Sequence, residues 1–271
     1  MLSELASLAS LAGGTIALRP YVVAFLAAFL AVASRDIGVR ATLGWLAWGV
    51  AVAFAAEYAS TRVGVPFGLY HYTGDTRGHE LFISNVPFFD PLSFPFLAYA
   101  SFAVVRWVRG TRPGAALVVL SGLFMMLLDV VIDPLAVRGD RWFLGRVFYY
   151  AEPGVYWGVP LSNFAGWAVV GWAIVGGGVA VGVGRGAGED PARGAGLGAA
   201  LYGAVLLFNL ALTAWIGEWS LLAVGILIHI AAFLLLYGAG RGRARQARAT
   251  PAKAAPVGPD RDFHPRRDEP R

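Results

Sequence analysis

Cysteine is absent from the 271 residues, and charge is scarce: Asp, Glu, Lys and Arg make up only 14% of them. The first absence excludes a disulfide scaffold, a thiolate zinc site and a cysteine nucleophile. The second excludes an ordinary soluble domain, which carries roughly a quarter charged residues. Disorder is excluded in turn, because aromatics reach 13% and the apolar runs are long. The net charge is +5, but the positives are scattered or gathered in the tail from Arg241 onward. No basic, aromatic-interleaved face is left for a nucleic acid. With 57% hydrophobic residues and a mean hydropathy of +0.60, the composition predicts an all-α integral membrane protein with no soluble domain.

A helix crosses a bilayer with about 20 mostly apolar residues. Seven stretches qualify: 15–34, 41–57, 87–108, 113–134, 158–183, 196–216 and 219–239. The polytopic transmembrane domain is therefore 15–239. Residues 1–14 read as a candidate interfacial helix, with Leu2, Leu5, Leu8 and Leu11 at helical spacing. They lack a basic n-region, which argues against a cleaved signal peptide. Residues 240–271, rich in Arg, Ala, Pro and Asp, read as a disordered basic tail. Arg19 weakens the first span unless its head snorkels to the interface. Gly176, Gly177 and Gly178 predict a close helix–helix approach in the fifth. Placing the tail in the cytoplasm puts 16 of the 22 Lys and Arg on that side and six on the other. The positive-inside rule then predicts a multi-pass protein of the cell membrane, N-terminus outside and C-terminus cytoplasmic.

Acidic groups in or beside apolar spans are costly, so they are candidates for function. With this topology Glu57, Asp90, Asp129, Asp133, Asn163 and Glu218 all fall in the outer membrane half, which predicts one polar pocket opening outward. Asp129 and Asp133 are four apart, on one helical face. Two carboxyls so close in low dielectric do not both ionise freely, which makes a general acid available. The alternative is structural: each pairs with a cation such as Arg138 or Arg141. Glu57 opens the loop EYASTRVGVPFGLYHYTG, whose Tyr58, Tyr70, His71 and Tyr72 could line a pocket mouth. His79 reads as a solvated loop residue. His229 and Asn209, within the last two spans, read as interhelical hydrogen-bonding groups.

Nothing in the spacing predicts a metal or an organic cofactor. There is no HxxxH pair and no DDxxD. The Asp129–Asp133 spacing alone is weak for Mg²⁺, which is usually held with substrate phosphates as well. No GxGxxG opens a βαβ unit, and GRGAGED at 184–190 lacks a Walker lysine. What remains is acid–base chemistry on an apolar molecule in the membrane. Aromatic faces stabilise cations, and the outer half is rich in them, among them Tyr156, Trp157 and Trp167. A carboxyl proton delivered to a trisubstituted alkene gives a tertiary cation, and water captures it as a tertiary alcohol.

Three segments, EYASTRVGVPFGLYHYTG (57–74), DVVIDPLAVRGDRWFLG (129–145) and GVYWGVPLSNFAGW (154–167), resemble the carotenoid 1,2-hydratase family of the bisanhydrobacterioruberin hydratase kind. Trp157 stands where that pattern leads one to expect a second Tyr. The resemblance implies water addition across the terminal 1,2 double bond of an acyclic ψ-end carotenoid. Its expected partners are the carotenoid, water, membrane lipid and other carotenoid-pathway enzymes. Chemical inference then places roles on matched positions. Asp129 or Asp133 would protonate C2; the other, or Glu57, would orient and deprotonate the water. Asn163, Asp90, Tyr70 and His71 would bind water or substrate, while Tyr156, Trp157 and Trp167 shield the cation. A membrane lycopene cyclase would share the first step but trap the cation with a neighbouring alkene. A proton-coupled transporter or sensor would spread its carboxylates through the membrane depth. A retinal sensor would need a lysine in the last span, and the only lysine is Lys253.

Overall fold

The structure, a computed structural model, describes residues 2–110, 113–183 and 191–249. Its helices are α1 (Leu2–Leu18), α2 (Pro20–Asp36), α3 (Val39–Val63), α4 (Phe89–Arg109), α5 (Ala115–Ala136), α6 (Leu161–Ala180), α7 (Pro191–Trp215) and α8 (Trp219–Ala249). Short strands β1 (Tyr70–Tyr72), β2 (Phe82–Ile83) and β3 (Val86–Pro87) lie between α3 and α4, and β4 (Phe148–Tyr150) lies between α5 and α6. Six helices, α3 to α8, are long and apolar enough to cross a bilayer, and α1 with α2 makes a seventh candidate if that bent pair is one span. The chain is thus an all-α membrane protein, as its composition predicts.

Its beginning departs from the expectation. The stretch 15–34 is not one straight helix: α1 and α2 meet at 90°. Arg19 sits at the break in a non-helical conformation, and Pro20, which has no N–H to lose, starts α2. Arg19 does not snorkel either; it is 1% exposed. Its Nη1 donates to the Leu144 carbonyl at 2.9 Å, its Nη2 pairs with Glu80 at 3.2 Å, and its guanidinium lies 4.4 Å from the Phe89 ring centre. These partners replace water around the buried charge. At the other end α8 runs on to Ala249, ten residues into the segment expected to be a tail. Ala and Arg are good helix formers. The rest of the tail, 250–271, and the loop 184–190 lie outside the described residues.

Close approaches between helices carry the packing. The central helix is α4: 72% of its most apolar 18-residue stretch is buried, against 22% for α3 and α8. Gly177 and Gly178 let α6 lie directly against the indoles of Trp48 and Trp45, where any Cβ would collide. Trp48 Nε1 donates to the Ala173 carbonyl of α6 (3.1 Å) and Trp45 Nε1 to the Pro95 carbonyl of α4 (2.9 Å). Between α5 and α6 the backbones nearly touch: a Cβ on Gly171 would sit 2.8 Å from Gly122 Cα. His229 spends its Nδ1 on the Gly225 carbonyl of its own helix (2.8 Å), not on another helix as expected. Asn209 likewise bonds within α7, to the Val205 carbonyl.

A candidate active site at one end of the bundle

Two close helix contacts decide which polar groups meet. From the Gly122–Gly171 contact, about two turns along antiparallel α5 and α6 lead to Asp129 and Asn163. There Asn163 Nδ2 donates to Asp129 Oδ2 at 2.6 Å. On the other side Gly49 of α3 rests on Pro95 of α4. From there α3 leads to Glu57 and α4 back to Asp90, in its first turn. Asp133 lies one turn beyond Asp129. All five belong to the same end of the bundle, under the strands.

The strands then close the ring. β1 pairs antiparallel with β4, in the register Tyr70–Tyr150, His71–Tyr149 and Tyr72–Phe148. Alternation along a strand puts Tyr70, Tyr72, Phe148 and Tyr150 on one face and His71 with Tyr149 on the other. The first face looks into a cavity of about 120 Å³, lined also by Glu57, Asp90, Asp133 and Asn163. By the same measure one water needs roughly 10–15 Å³, so the cavity holds several waters or the end of a chain. Its remaining walls are mostly aromatic and aliphatic, including Phe67, Phe94 and Trp167; Trp167 stacks on Phe94 at 4.4 Å between ring centres.

Hydrogen bonds tie the acids to phenols. Tyr72 Oη lies 2.6 Å from Asp90 Oδ2 and 3.2 Å from Glu57 Oε2, with Tyr70 Oη 3.4 Å away. A phenol has one proton, so Tyr72 donates to one carboxyl at a time. Tyr150 Oη donates to Asp133 Oδ2 at 3.2 Å. Burial, reinforced by the facing carboxylates, pushes the phenols of Tyr70, Tyr72 and Tyr150 well above the usual tyrosine range. They therefore remain hydroxyl donors at any working pH. Among the described residues no Arg or Lys forms an ion pair with Glu57, Asp90, Asp129 or Asp133. Arg138 and Arg141, the alternative partners of the Asp pair, both engage Glu218 instead. No three His, Asp or Glu side chains converge as a metal-ligating group among the described residues.

The predicted residues fall into two sets. Glu57, Asp90, Asp133, Asn163, Tyr70 and Trp167 share the cavity. Asp129 stands behind it, fully buried, holding Asn163, with no hydrogen-bond partner for its Oδ1. His71 turns away from the cavity and packs on Tyr149. Tyr156 and Trp157 belong to a tight turn before α6, packed edge-on to each other. Burial and the nearby Asp129 carboxylate push the Tyr156 phenol up to about 12. Trp157 has a left-handed backbone (φ 46°), and its carbonyl accepts from Arg138 Nη1 at 2.7 Å. Tyr72, expected only at a pocket mouth, and Tyr150 hydrogen-bond the site carboxyls directly. The alternation in Tyr-His-Tyr was the available signal for the first.

Comparison with known proteins gives the family. The family model described as carotenoid biosynthesis protein matches residues 17–232, from the α1–α2 bend into α8. Bisanhydrobacterioruberin hydratase of Haloarcula japonica is 33% identical over 120 residues, which take in 44% of this chain and 38% of that relative. No solved structure matches. Since the family model covers most of the chain, helices and cavity included, the chain belongs to the carotenoid biosynthesis protein family.

Proposed function

We propose that this protein is a carotenoid 1,2-hydratase, adding water across the terminal double bond of an acyclic ψ-end to give a tertiary alcohol. The observation that carries the reading is the cavity. One part is lined by carboxyls, an amide and phenols able to order water, and the rest by aromatic and aliphatic side chains. The hydratase named among the relatives supports the same chemistry. Asp133, which faces the cavity, gives its proton to C2 of the alkene. The pi electrons form the new C–H bond, and the positive charge develops at C1, beside the faces of Trp167 and Phe94. A water held by Asn163 and the Glu57–Tyr72–Asp90 cluster forms the C–O bond. Its surplus proton passes to Glu57 or Asp90, and transfer back to Asp133 completes the cycle. The net change is the addition of one H₂O, with no oxidant or reductant. Asp129 positions Asn163.

The polar, acid-lined part of the cavity favours water over an internal alkene as the trap, hence hydration over cyclisation. In this reading the site end faces outward, α1 lies in the outer interface, and the C-terminus is cytoplasmic, the orientation the Lys/Arg distribution favours. Purified protein in lipid nanodiscs, given lycopene in the presence of a chelator and without nucleotide, should yield a product heavier by one water. An isomer of unchanged mass bearing a ring would replace the hydratase reading with the cyclase. No conversion without a restored metal would remove the metal-free mechanism.

A further inference from the structure

The molecule the cavity is proposed to act on is far longer than the cavity. The cavity lies at one end of the bundle, so it takes the end of an extended chain while the rest of a long polyene runs out past its rim. The polar lining comes mainly from α3, α4, α5, α6 and the strands; α2 and α7 supply a mostly apolar far wall through Tyr21, Phe25, Val205 and Phe208, with Asn209 its amide. The three aromatics among them line the cavity and are half-buried, and Val23 and Leu207, their neighbours along α2 and α7, are exposed. The aromatics interlock only through ring contacts: Phe208 stacks on Tyr21 at 5.3 Å and meets Phe25 edge-on at 5.6 Å. No backbone or polar bond is needed to hold them together. Such ring pairs add little beyond their buried area, and rotamer changes can exchange them for contacts with a polyene. The opposite wall is different: its Asn163 is bonded to Asp129 behind it, and both are buried.

We propose that the α2–α7 seam, closed by Tyr21, Phe25 and Phe208, is the lateral gate of the site. A linear apolar chain passes end-first from the bilayer between these rings, and its body remains in the seam while its end reaches the acids. This rests on the carotenoid reading for the identity of the chain, but the gate is tested by binding rather than turnover. The absence of native cysteine allows a clean pair, Phe25→Cys with Phe208→Cys. In nanodiscs the pair is bridged by a short bis-methanethiosulfonate before lycopene is added, and bound polyene is read from its absorbance after purification. The bridged protein should lose most of its bound polyene, and thiol reduction should restore it. The single variant Phe208→Ala, with no lock, should take up polyene faster than the unaltered protein. Equal uptake by bridged and reduced forms, or unchanged uptake by Phe208→Ala, would overturn the gate, as would no polyene binding by the unaltered protein. Gated binding without any gain of water would leave the gate standing and remove the hydratase reading.

Discussion

Replacing Asp133 by Asn separates the two members of the carboxyl pair. Asp133 lines the cavity and accepts from Tyr150 at 3.2 Å; Asp129 does not line it and holds Asn163 at 2.6 Å. An amide at 133 keeps the shape and can still accept from Tyr150, so the helix and β4 stay in place. It has no acidic proton to give. General acid–base groups are typically worth about 10²–10⁴-fold, or roughly 2.7–5.5 kcal/mol of barrier at 1.36 kcal/mol per tenfold. Asp129→Asn, by contrast, can turn its amide oxygen to Asn163, keeping a neutral hydrogen bond in place of the original. That exchange costs on the order of 1 kcal/mol, or about tenfold at most in positioning. Lycopene hydration in nanodiscs, normalised to folded protein that binds polyene, should therefore fall much further for Asp133→Asn than for Asp129→Asn. Asp133→Glu should retain more activity than Asn. In deuterated water the unaltered protein should place deuterium at C2. Near-normal turnover by Asp133→Asn, with the large loss at position 129 instead, would refute the assignment of roles by cavity access.

Other perturbations test other parts of the structure. Tyr72→Phe removes the one hydroxyl that Glu57 and Asp90 share; turnover should drop by about tenfold or more, at roughly 1–3 kcal/mol for the unsatisfied buried acceptors, with polyene binding retained. Gly178→Leu forces a side chain into the Trp45 indole, so the thermal midpoint in detergent should fall by an amount equivalent to about 1–3 kcal/mol of overpacking; an unchanged midpoint would show that α3 and α6 are not held together there. Arg19→Met leaves Glu80 buried without its cation and should destabilise by about 3–5 kcal/mol, while the double change with Glu80→Leu should recover much of that loss. Reporter fusions after Ala249 should read as cytoplasmic and fusions within 73–85 as external; the reverse would turn the site toward the other leaflet.

The helical bundle was legible because charge is scarce: where apolar runs are interrupted by so few ionisable groups, their boundaries nearly mark themselves. The α1–α2 bend was less so. Arg19 reads in the sequence as an interfacial charge, and only tertiary structure brings Glu80, 61 residues away, and the Leu144 carbonyl to it. The glycines were informative in kind but not in partner. Gly176 to Gly178 announce a close approach, yet nothing local to α6 names Trp45 and Trp48 as the side chains received there. The connections were read as loops, and this hid which of their aromatics face the site. Once β1 pairs with β4, period-two alternation sends Tyr70 and Tyr72 inward and His71 outward; without the strand, all three look equally able to line a pocket.

The carboxyl pair shows the same limit most sharply. Spacing of four residues puts Asp129 and Asp133 on one helical face, and in the sequence they are interchangeable candidates for the acid. Depth along the helix distinguishes them. The Gly122–Gly171 contact brings α6 against α5 closely enough that Asn163 reaches Asp129, sealing it in the helix interface. One turn further on, the helices make way for the strands, and Asp133 meets Tyr150 at the cavity wall instead. A buried carboxyl bonded to an amide is suited to fixing that amide. A carboxyl at a cavity wall, accepting from the Tyr150 phenol, is placed where a reacting atom can come. The division of labour proposed for the pair thus comes from where two helices stop touching, a property of the packed bundle that a four-residue spacing does not carry.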